Sequence, residues 1–261
     1  AVNESVLNPM KYYQNNVLNL INFLEVIENT KINSFVFSSS CTVYGVPDKI
    51  PVKETALIKP AFSPYGYTKQ VGERVLTDFF KTKPNSSLTL LRYFNPIGAH
   101  PSALIGELPI GVPSNLVPYI TQTGIGKRKK LTVFGKDYDT DDGTCIRDYI
   151  HVVDLANAHV ASLKKGLNSK ESIKTYNVGT GKGVSVLEVI SAFEKVSNQK
   201  LNYEFGPRRD GDVPEIYSDN ELIKTELGWE AKFSLEDCLE HSWKWEKNLV
   251  NFKYKSEKKQ D

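Results

Sequence analysis

The sequence lacks several features that would place it in a broad functional class. It has no apolar run approaching the roughly 18 residues that a transmembrane helix needs, so no membrane partner is expected. Its 33 lysines and arginines nearly balance its 31 aspartates and glutamates, and the net charge is +2. A charge so close to zero excludes a general electrostatic attraction to nucleic acid. Three scattered cysteines, Cys41, Cys145 and Cys238, form neither a disulfide framework nor a CxxC metal pair, which favours a cytoplasmic location.

The first third of the chain contains a regular alternation of helical and apolar segments. A helix is predicted over residues 9–28, where a proline opens the segment and apolar residues recur at helical spacing. Short apolar strands are predicted at 34–37 and 88–93, and a second helix at 64–81 lies between them. Apolar strands that alternate with helices are typical of a parallel sheet covered on both faces.

The remainder of the chain is less regular. Prolines and glycines are frequent over residues 96–113, which is typical of loops that build a binding site. The later predicted elements are a helix after Ser114, a strand at 131–134, a helix from Asp154 stopped by Gly166, and a helix capped by Ser185 and Glu188. The predicted fold class is therefore α/β, with part of a doubly wound parallel sheet followed by a smaller mixed α/β domain.

Three residues form the most informative local pattern. Tyr65 and Lys69 are four positions apart near a helix start, so their side chains share one helix face. A tyrosine with its ordinary pKa of about 10 is protonated at neutral pH, and a nearby ammonium favours the phenolate that could act as a base. Ser40 follows the first predicted strand at its carboxyl end, where open α/β sheets bind their ligands. Its hydroxyl could bond the oxygen that Tyr65 deprotonates.

Further segments extend this pattern over most of the chain. They are residues 12–17, 37–45, 63–69, 91–101, 142–152 and 207–212. Together these segments resemble the UDP-glucose 4-epimerase family of the extended short-chain dehydrogenases/reductases. The resemblance runs from Ala1 to about Trp245 and implies a partial Rossmann-like sheet. Residues 1–95 would be the C-terminal part of an NAD-binding Rossmann domain, and residues 96–261 mainly a UDP-sugar-binding domain. A strand near 175–179 is expected to return to the first sheet.

The resemblance implies a reversible oxidation that interconverts UDP-galactose and UDP-glucose. Tyr65 would take the proton from the sugar 4-hydroxyl while bound NAD accepts hydride from C4. The 4-keto sugar would then turn over and receive the hydride on its other face. Lys69 would bond the nicotinamide ribose and lower the pKa of Tyr65, and Ser40 would steady the 4-oxygen.

The resemblance also assigns binding residues. Those expected at the cofactor are Asn15, Ser38, Tyr65, Lys69 and Tyr93. Those expected at the nucleotide sugar are Asn95, Asn115, Leu116, Phe134, Arg147, Arg209, Asp212 and Ile216. Arginines suit a pyrophosphate, and amides and a carboxylate suit ribose and uracil. Ile216 would line the C2 substituent and is compatible with N-acetylated sugars, and a homodimer is expected through helices 9–28 and 64–81.

One family feature is absent from the sequence. The nucleotide fingerprint of strand, G-x-G-x-x-G and helix, which seats the NAD pyrophosphate on a helix N-terminus, does not occur in these 261 residues. The first recognisable element corresponds to the helix before the fourth strand of the family sheet. Three βα units of roughly 30 residues each would precede it. The chain is therefore expected to be an N-terminally truncated form.

Several alternatives remain open from the sequence. The chain could be a non-catalytic, UDP-sugar-binding or dimer-forming remnant, or another nucleotide-sugar epimerase or 4,6-dehydratase. Related dehydratases use an Asp-Glu pair where this chain has Ser40 and Cys41, which cannot supply that acid and base.

Other patterns in the sequence favour structural roles. The glycines of 179–183 are expected to form a turn, and the aspartates of 137–141 a solvated loop. His151 and His159 are expected to be structural, so no metal site is predicted.

Overall fold

A computed structural model describes residues 2–169, 172–209 and 211–257 of the chain. Asp210, which belongs to the 207–212 segment, lies outside the described residues, as do Ala1 and 258–261 at the ends of the two expected domains. None of the described helices is long and apolar enough to cross a membrane.

Helices and strands alternate along the chain. The helices are α1 (Val2–Leu7), α2 (Pro9–Tyr13), α3 (Asn19–Ile27), α4 (Pro64–Lys81), α5 (Leu116–Gly124), α6 (Val152–Leu167), α7 (Val186–Ser197), α8 (Glu221–Leu227) and α9 (Leu235–Glu257). The strands are β1 (Ser34–Ser38), β2 (Ser87–Tyr93), β3 (Asn95–Ile97), β4 (Leu131–Phe134), β5 (Ile146–Arg147), β6 (Tyr149–His151), β7 (Ser172–Val178), β8 (Val184–Ser185), β9 (Tyr203–Gly206) and β10 (Glu215–Ile216). The predicted α/β class is confirmed.

The chain divides into two compact units. The first unit comprises Ala1–Phe94, Ala156–Gly181 and Ile216–Glu230, and the second comprises Asn95–Leu155, Lys182–Glu215 and Ala231–Asp261. The first segment of the first unit ends one residue before the expected domain boundary at 95. Two later segments of the chain also belong to the first unit. From the sequence, only a strand near 175–179 is expected to return to it.

The first unit is built on a parallel sheet in the order β1-β2-β7. Ser38 at the end of β1 is aligned with Leu91 of β2, and Leu91 with Tyr176 of β7. The buried side chains of β2 pack against those of α3 and α4, and this cluster comprises Leu24, Ile27, Leu76, Phe80, Leu88 and Leu90. The sheet therefore presents the carboxyl ends of its strands at a common edge, with α4 covering one face.

The helix predicted over 9–28 is present, but it is not α-helical throughout. The short α2 is followed by the π-helical segment Gln14–Leu18 and then by α3, which ends at Ile27. The apolar spacing that predicted the helix is preserved in α3. Relative to a regular α-helix, the wider π turn offsets the residues before it by one position. Such π turns occur frequently at functional sites.

Helix α4 begins and ends as the sequence predicted. Ser63 caps its N-terminus, accepting a hydrogen bond from the backbone N–H of Gly66, and Pro64 occupies the first turn. Because the missing N–H of proline has no helical partner at that position, proline is well placed there. The start of α4 is thereby fixed, and Tyr65 and Lys69 fall in its first two turns.

The second unit contains short paired strands packed against helices. Strand β3 pairs with β6 and β4 with β9, both parallel, while β5 and β8 are antiparallel. Its core includes Ile120, Val133, Phe193 and Leu239. The capping box predicted at Ser185 and Glu188 is confirmed, whereas α6 starts two residues before Asp154 and runs one residue past Gly166.

Candidate active site and nucleotide site

Ser40 lies just beyond the end of β1, at the edge of the parallel sheet. It is buried in an extended conformation and caps the short 3₁₀ helix Cys41–Tyr44. Its Oγ accepts hydrogen bonds from the backbone N–H of Thr42 at 3.2 Å and from the Thr42 hydroxyl at 3.0 Å. These bonds hold the serine oxygen in one orientation while its own proton stays free to donate.

Tyr65 and Lys69 lie beside this serine on α4. The Ser40 hydroxyl is hydrogen bonded to the Tyr65 phenol. The Lys69 ammonium donates to the carbonyl of Ser38 at 2.7 Å and lies 5.7 Å from the centre of the Tyr65 ring. The structure therefore brings together the three residues that the sequence identified as a catalytic group.

The expected lowering of the Tyr65 pKa is wrong for the chain as it stands. Burial raises the pKa of Tyr65 to about 12, the nearby Tyr93 adds to the rise, and the hydrogen bond from Ser40 opposes it. Burial also lowers the pKa of Lys69, while the negative charge of Glu73 acts in the opposite direction. The ammonium is bonded to Ser38 and lies 5.7 Å from the ring centre, so the effect of burial on the Tyr65 pKa dominates.

Ser38 and Tyr93 lie next to the catalytic group. The Ser38 hydroxyl lies 2.8 Å from Nε2 of His159, and it is also hydrogen bonded to Tyr93. Burial raises the pKa of Tyr93. The Tyr93 and His159 rings have their centres 6.4 Å apart. Sequence reasoning treated His159 as a structural residue and missed this connection, because no motif marks its position on α6.

The π-helical segment approaches α4 through Asn16. The Asn16 amide donates to the Thr68 hydroxyl at 3.0 Å. Asn15, the residue predicted at the cofactor, is exposed, and its side-chain oxygen accepts from Asn19 at 3.5 Å. The structure does not bring Asn15 into the hydrogen-bonded group around Lys69, and Asn16 is the neighbour that contacts the catalytic helix.

Ile216 is buried in an apolar cluster of the first unit. The cluster comprises Cys41, Val43, Tyr44, Val52, Phe94 and Ile216. Three of its members belong to the 3₁₀ helix that Ser40 caps. Ile216 therefore packs next to the segment that carries the serine.

Four of the predicted nucleotide residues converge in the second unit. The Arg209 guanidinium stacks on the Phe134 ring at 4.1 Å from its centre. Asp212 lies between the two arginines, 3.7 Å from Nη2 of Arg147 and 3.9 Å from Nε of Arg209. The cluster thus combines an aromatic face, two cations and a carboxylate, which are the groups that suit a base, a pyrophosphate and a ribose.

Hydrogen bonding within this cluster is incomplete. Nε of Arg209 is buried without a hydrogen-bond partner among the described residues, and 3.9 Å to Asp212 is too long for one. Arg147 donates from Nη1 to the carbonyl of Ile146 at 2.9 Å. An unpaired buried donor is costly, so the Arg209 site fits an anionic ligand that accepts a hydrogen bond from Nε.

The other predicted nucleotide residues lie apart from this cluster. Asn95 begins β3, where its backbone N–H donates to the carbonyl of Asp148. Asn115 precedes α5, and its amide donates to Glu107 at 2.8 Å. Leu116 packs against the core of the second unit. The structure does not connect these three to the paired arginines.

The patterns assigned structural roles have local partners. Asp137 pairs with Arg208 at 2.8 Å, His151 lies 3.0 Å from His241, and Gly181 donates to the Ser218 hydroxyl. Over the described residues, no cluster of three or more histidine, cysteine or acidic side chains could hold a metal ion.

Comparison with known proteins gives consistent relatives. A family model described as GDP-mannose 4,6 dehydratase matches residues 1–242. The UDP-glucose 4-epimerase of Bacillus subtilis is 50% identical over 251 residues, covering 96% of this chain and 74% of that protein.

Solved structures agree with the sequence relatives. The UDP-glucose 4-epimerase from Bifidobacterium longum in complex with NAD+ and UDP superposes with a TM-score of 0.92 at 44% identity, over 96% of this chain and 74% of that one. The enzyme from Stenotrophomonas maltophila, with bound NAD and formylated UDP-arabinopyranose, gives a TM-score of 0.92 at 46% identity over the same shares.

Proposed function

The chain belongs to the UDP-glucose 4-epimerase family of the extended short-chain dehydrogenases/reductases, and from this membership we propose that its residues interconvert UDP-galactose and UDP-glucose through a 4-keto sugar. The resemblance identified from the sequence motifs is thus confirmed. The observation that carries the proposal is the convergence of Ser40, Tyr65 and Lys69 at the carboxyl end of β1. The non-catalytic alternative is not favoured, because this group retains a base, its hydrogen-bond donor and an adjacent cation.

NAD is the cofactor of this family, and the two solved relatives described above hold it. The donors near Lys69 fit the nicotinamide ribose, because the ammonium has three protons and the structure assigns one to Ser38. We propose that Lys69, Ser38 and Tyr93 hold this part of the cofactor, with Asn15 at the edge of the site. When bound, NAD supplies the oxidant that removes hydrogen from C4 of the sugar and later returns it.

Tyr65 would exchange the proton of the sugar 4-hydroxyl in both directions. The Ser40 hydroxyl stabilises the phenolate form by hydrogen bonding, and the same hydroxyl would orient the sugar oxygen. Burial of the phenol excludes water from the proton transfer, which protects a 4-keto sugar from side reactions. Lys69 adds positive charge to the site and so favours loss of the phenol proton.

We propose that the second unit holds the uridine diphosphate. Arg147 and Arg209 would bind the pyrophosphate, and Asp212 would accept from the ribose. The ring of Phe134 already carries the Arg209 guanidinium and would border the nucleotide. Asn95, Asn115 and Leu116 would contribute further contacts, and Ile216 is proposed to leave room for N-acetylated as well as simple hexoses.

The cellular setting is also proposed. All three cysteines are free and buried, which supports the reducing cytoplasm. Exposed apolar side chains on α2 and α3, including Met10 and Val26, support a homodimer through the 9–28 and 64–81 helices.

Turnover of UDP-galactose tests the proposal directly. The 261-residue chain, alone and joined to the amino-terminal Gly-rich segment of the B. subtilis relative, is assayed with NAD for formation of UDP-glucose. Tyr65→Phe is expected to reduce turnover at least about 100-fold while UDP affinity stays unchanged, because the phenol proton is removed and the nucleotide contacts are kept. UDP binding without turnover in both forms would instead support the non-catalytic remnant.

A further inference from the structure

A buried carboxylate lies on the catalytic helix one turn after Lys69. Glu73 is 7% exposed, and its Oε1 accepts a hydrogen bond from the Ser39 hydroxyl at 2.5 Å. Arg92 on β2 holds both carboxylate oxygens, with Nε at 2.9 Å from Oε1 and Nη2 at 2.6 Å from Oε2. Every oxygen of this carboxylate therefore has a fixed partner.

We propose that Glu73 is a positioning residue for the proposed epimerisation, on which this inference rests: it fixes Ser40 through Ser39 and places its negative charge one helical turn from Lys69. No sequence pattern indicates this role, because a glutamate on a helix face is ordinarily solvated and an arginine in an apolar strand has no evident partner.

The first part of the inference follows from the contacts of α4 with the end of β1. Lys69 binds the carbonyl of Ser38, and Glu73 binds the hydroxyl of Ser39. The next residue along the chain is Ser40. Two side chains one helical turn apart thus hold two consecutive residues, so the distance from the Ser40 hydroxyl to the Tyr65 phenol is set from the same helix.

The Glu73 carboxylate is held by Arg92 of β2, which has contacts of its own. The Arg92 guanidinium lies 4.8 Å from the centre of the Tyr44 ring, and the Tyr44 hydroxyl donates to the Asn177 side chain at 2.6 Å. Burial alone would lower the pKa of Arg92, but the hydrogen bonds and charge of Glu73 outweigh it and raise that pKa. The Arg92 guanidinium therefore keeps its charge opposite the carboxylate of Glu73.

The second part concerns the charge on Lys69. Tyr65 and Glu73 of α4 are the titratable groups that interact with Lys69 directly. Next to them lie Arg92, which pairs with Glu73, Tyr93 and Cys41, which act on Tyr65, and His159, which contacts Ser38. Among them, Glu73 raises the pKa of Lys69 against the effect of burial. Because Glu73 lies on the same helix face as Lys69 and inside the protein, its charge is poorly screened by solvent.

The Glu73→Gln variant tests the inference without relying on turnover. Acetylation of Lys69 by acetic anhydride is followed against pH by mass spectrometry of the peptide that contains it, because only the neutral amine reacts. The midpoint is expected to fall by about half a pH unit or more in the variant. In the epimerase assay the alkaline limb of the kcat profile should move to lower pH in parallel, with the KM for UDP-galactose within about twofold.

A matched control lies on the same helix. Asp78 carries an exposed carboxylate paired with Arg74, so Asp78→Asn should leave the Lys69 midpoint and the pH profile unchanged. Glu73→Asp keeps the charge and should restore the midpoint.

Loss of Glu73 alone leaves Arg92 buried without a counter-charge and threatens folding. The double variant Glu73→Gln with Arg92→Met removes the pair together and is expected to lower the Lys69 midpoint, by less than Glu73→Gln alone because a positive charge is lost as well. A lower melting temperature with an unchanged midpoint and an unchanged pH profile would overturn the inference. Absence of epimerisation by the unsubstituted protein would overturn the proposed function alone, since the acetylation midpoint does not depend on it.

Discussion

Tyr65 carries its proton firmly in this environment, because a buried phenolate has few partners to stabilise it. Its pKa of about 12 is the result of burial, and the hydrogen bond from Ser40 is the described contact that works against it. The serine thus has two tasks in the proposed reaction. It lowers the free energy of the phenolate and it orients the sugar oxygen.

The effect of Ser40 on the Tyr65 pKa can be measured from the pH dependence of turnover when the serine is replaced. In Ser40→Ala the pKa of Tyr65 is expected to rise further, since the stabilising bond is lost, so the acid limb of the kcat profile should move to higher pH. At neutral pH turnover should fall about 10- to 100-fold. Ser40→Thr retains a hydroxyl and should keep the parent profile. A Ser40→Ala profile that coincides with that of the parent would remove Ser40 from the proton transfer.

Two adjacent arginines allow a similarly matched experiment at the nucleotide cluster. Arg209 has a buried Nε without a hydrogen-bond partner in the described part of the chain, whereas Arg208 is bound to Asp137 at the surface. Arg209→Ala is expected to weaken UDP binding about 10- to 100-fold, the loss of a charge-assisted hydrogen bond. Arg208→Ala should change the Kd by less than about twofold. Isothermal titration calorimetry measures both, and equal losses would contradict the assignment.

At the scale of elements, His151 joins β6 to the segment before α9. The ring is fully buried, stacks on Phe233 at 4.2 Å and lies 3.0 Å from His241, while its Nδ1 accepts from the backbone N–H of Val153. Burial lowers the pKa of His151 from 6.5 to about 4; the charge of His241 and, more weakly, His100 acts in the same direction, and Asp154 and Asp237 oppose it.

This depressed pKa makes the second unit sensitive to acid. The unfolded chain takes up a proton near pH 6.5, but the folded chain does so only near pH 4, so stability is lost as the pH falls between these values. The loss amounts to at most about 3 kcal/mol. Urea unfolding at pH 7, 6 and 5 should show it, and His151→Asn should flatten the dependence. His100→Asn, at an exposed site, should leave the pH dependence of stability unchanged. If both variants changed it alike, His151 would not be its cause.

Local signals explain which elements could be predicted. Ser63 with Pro64, and Ser185 with Glu188, are start signals whose hydrogen bonds lie within a few residues, and both helices begin where they indicate. The π-helical turn at Gln14–Leu18 leaves no such signal, since it shifts the register by one residue without changing the apolar spacing of α3. Element boundaries that depend on packing between distant segments therefore cannot be predicted from local sequence signals.

The same distinction applies to the site. The spacing of Tyr65 and Lys69 was enough to place them on one helix face, and the strand end placed Ser40. The pKa of Tyr65 and the pairing of Glu73 with Arg92 depend on burial and on contacts between α4 and β2, 19 residues apart for the ion pair. Such properties arise only when the sheet is assembled, so no local pattern carries them.

At the scale of the whole molecule, the apolar surface of the first helices is the feature that packing leaves unexplained. Leu24 and Ile27 are buried against α4, yet Val26 is 74% exposed and Phe23 49% exposed on the other face of α3. Phe23 also contacts Phe35 of β1, with ring centres 6.1 Å apart, and Phe35 packs against the core of the first unit. Exposed apolar side chains such as Val26 are the kind of surface that the proposed homodimer would bury.

The proposed homodimer predicts a specific response at this surface. The parent chain should show the mass of a dimer in size-exclusion chromatography with light scattering, and Val26→Glu should shift it to a monomer, because burial of a charge in an apolar interface is costly. Val160→Glu changes a half-exposed valine on α6 and should leave the dimer intact. A monomeric parent would contradict the homodimer. Dissociation by both substitutions alike would contradict an interface at Val26. Because Val26 is exposed and is not in the cluster that packs α3 against α4, Val26→Glu should leave the Lys69 acetylation midpoint unchanged in either case.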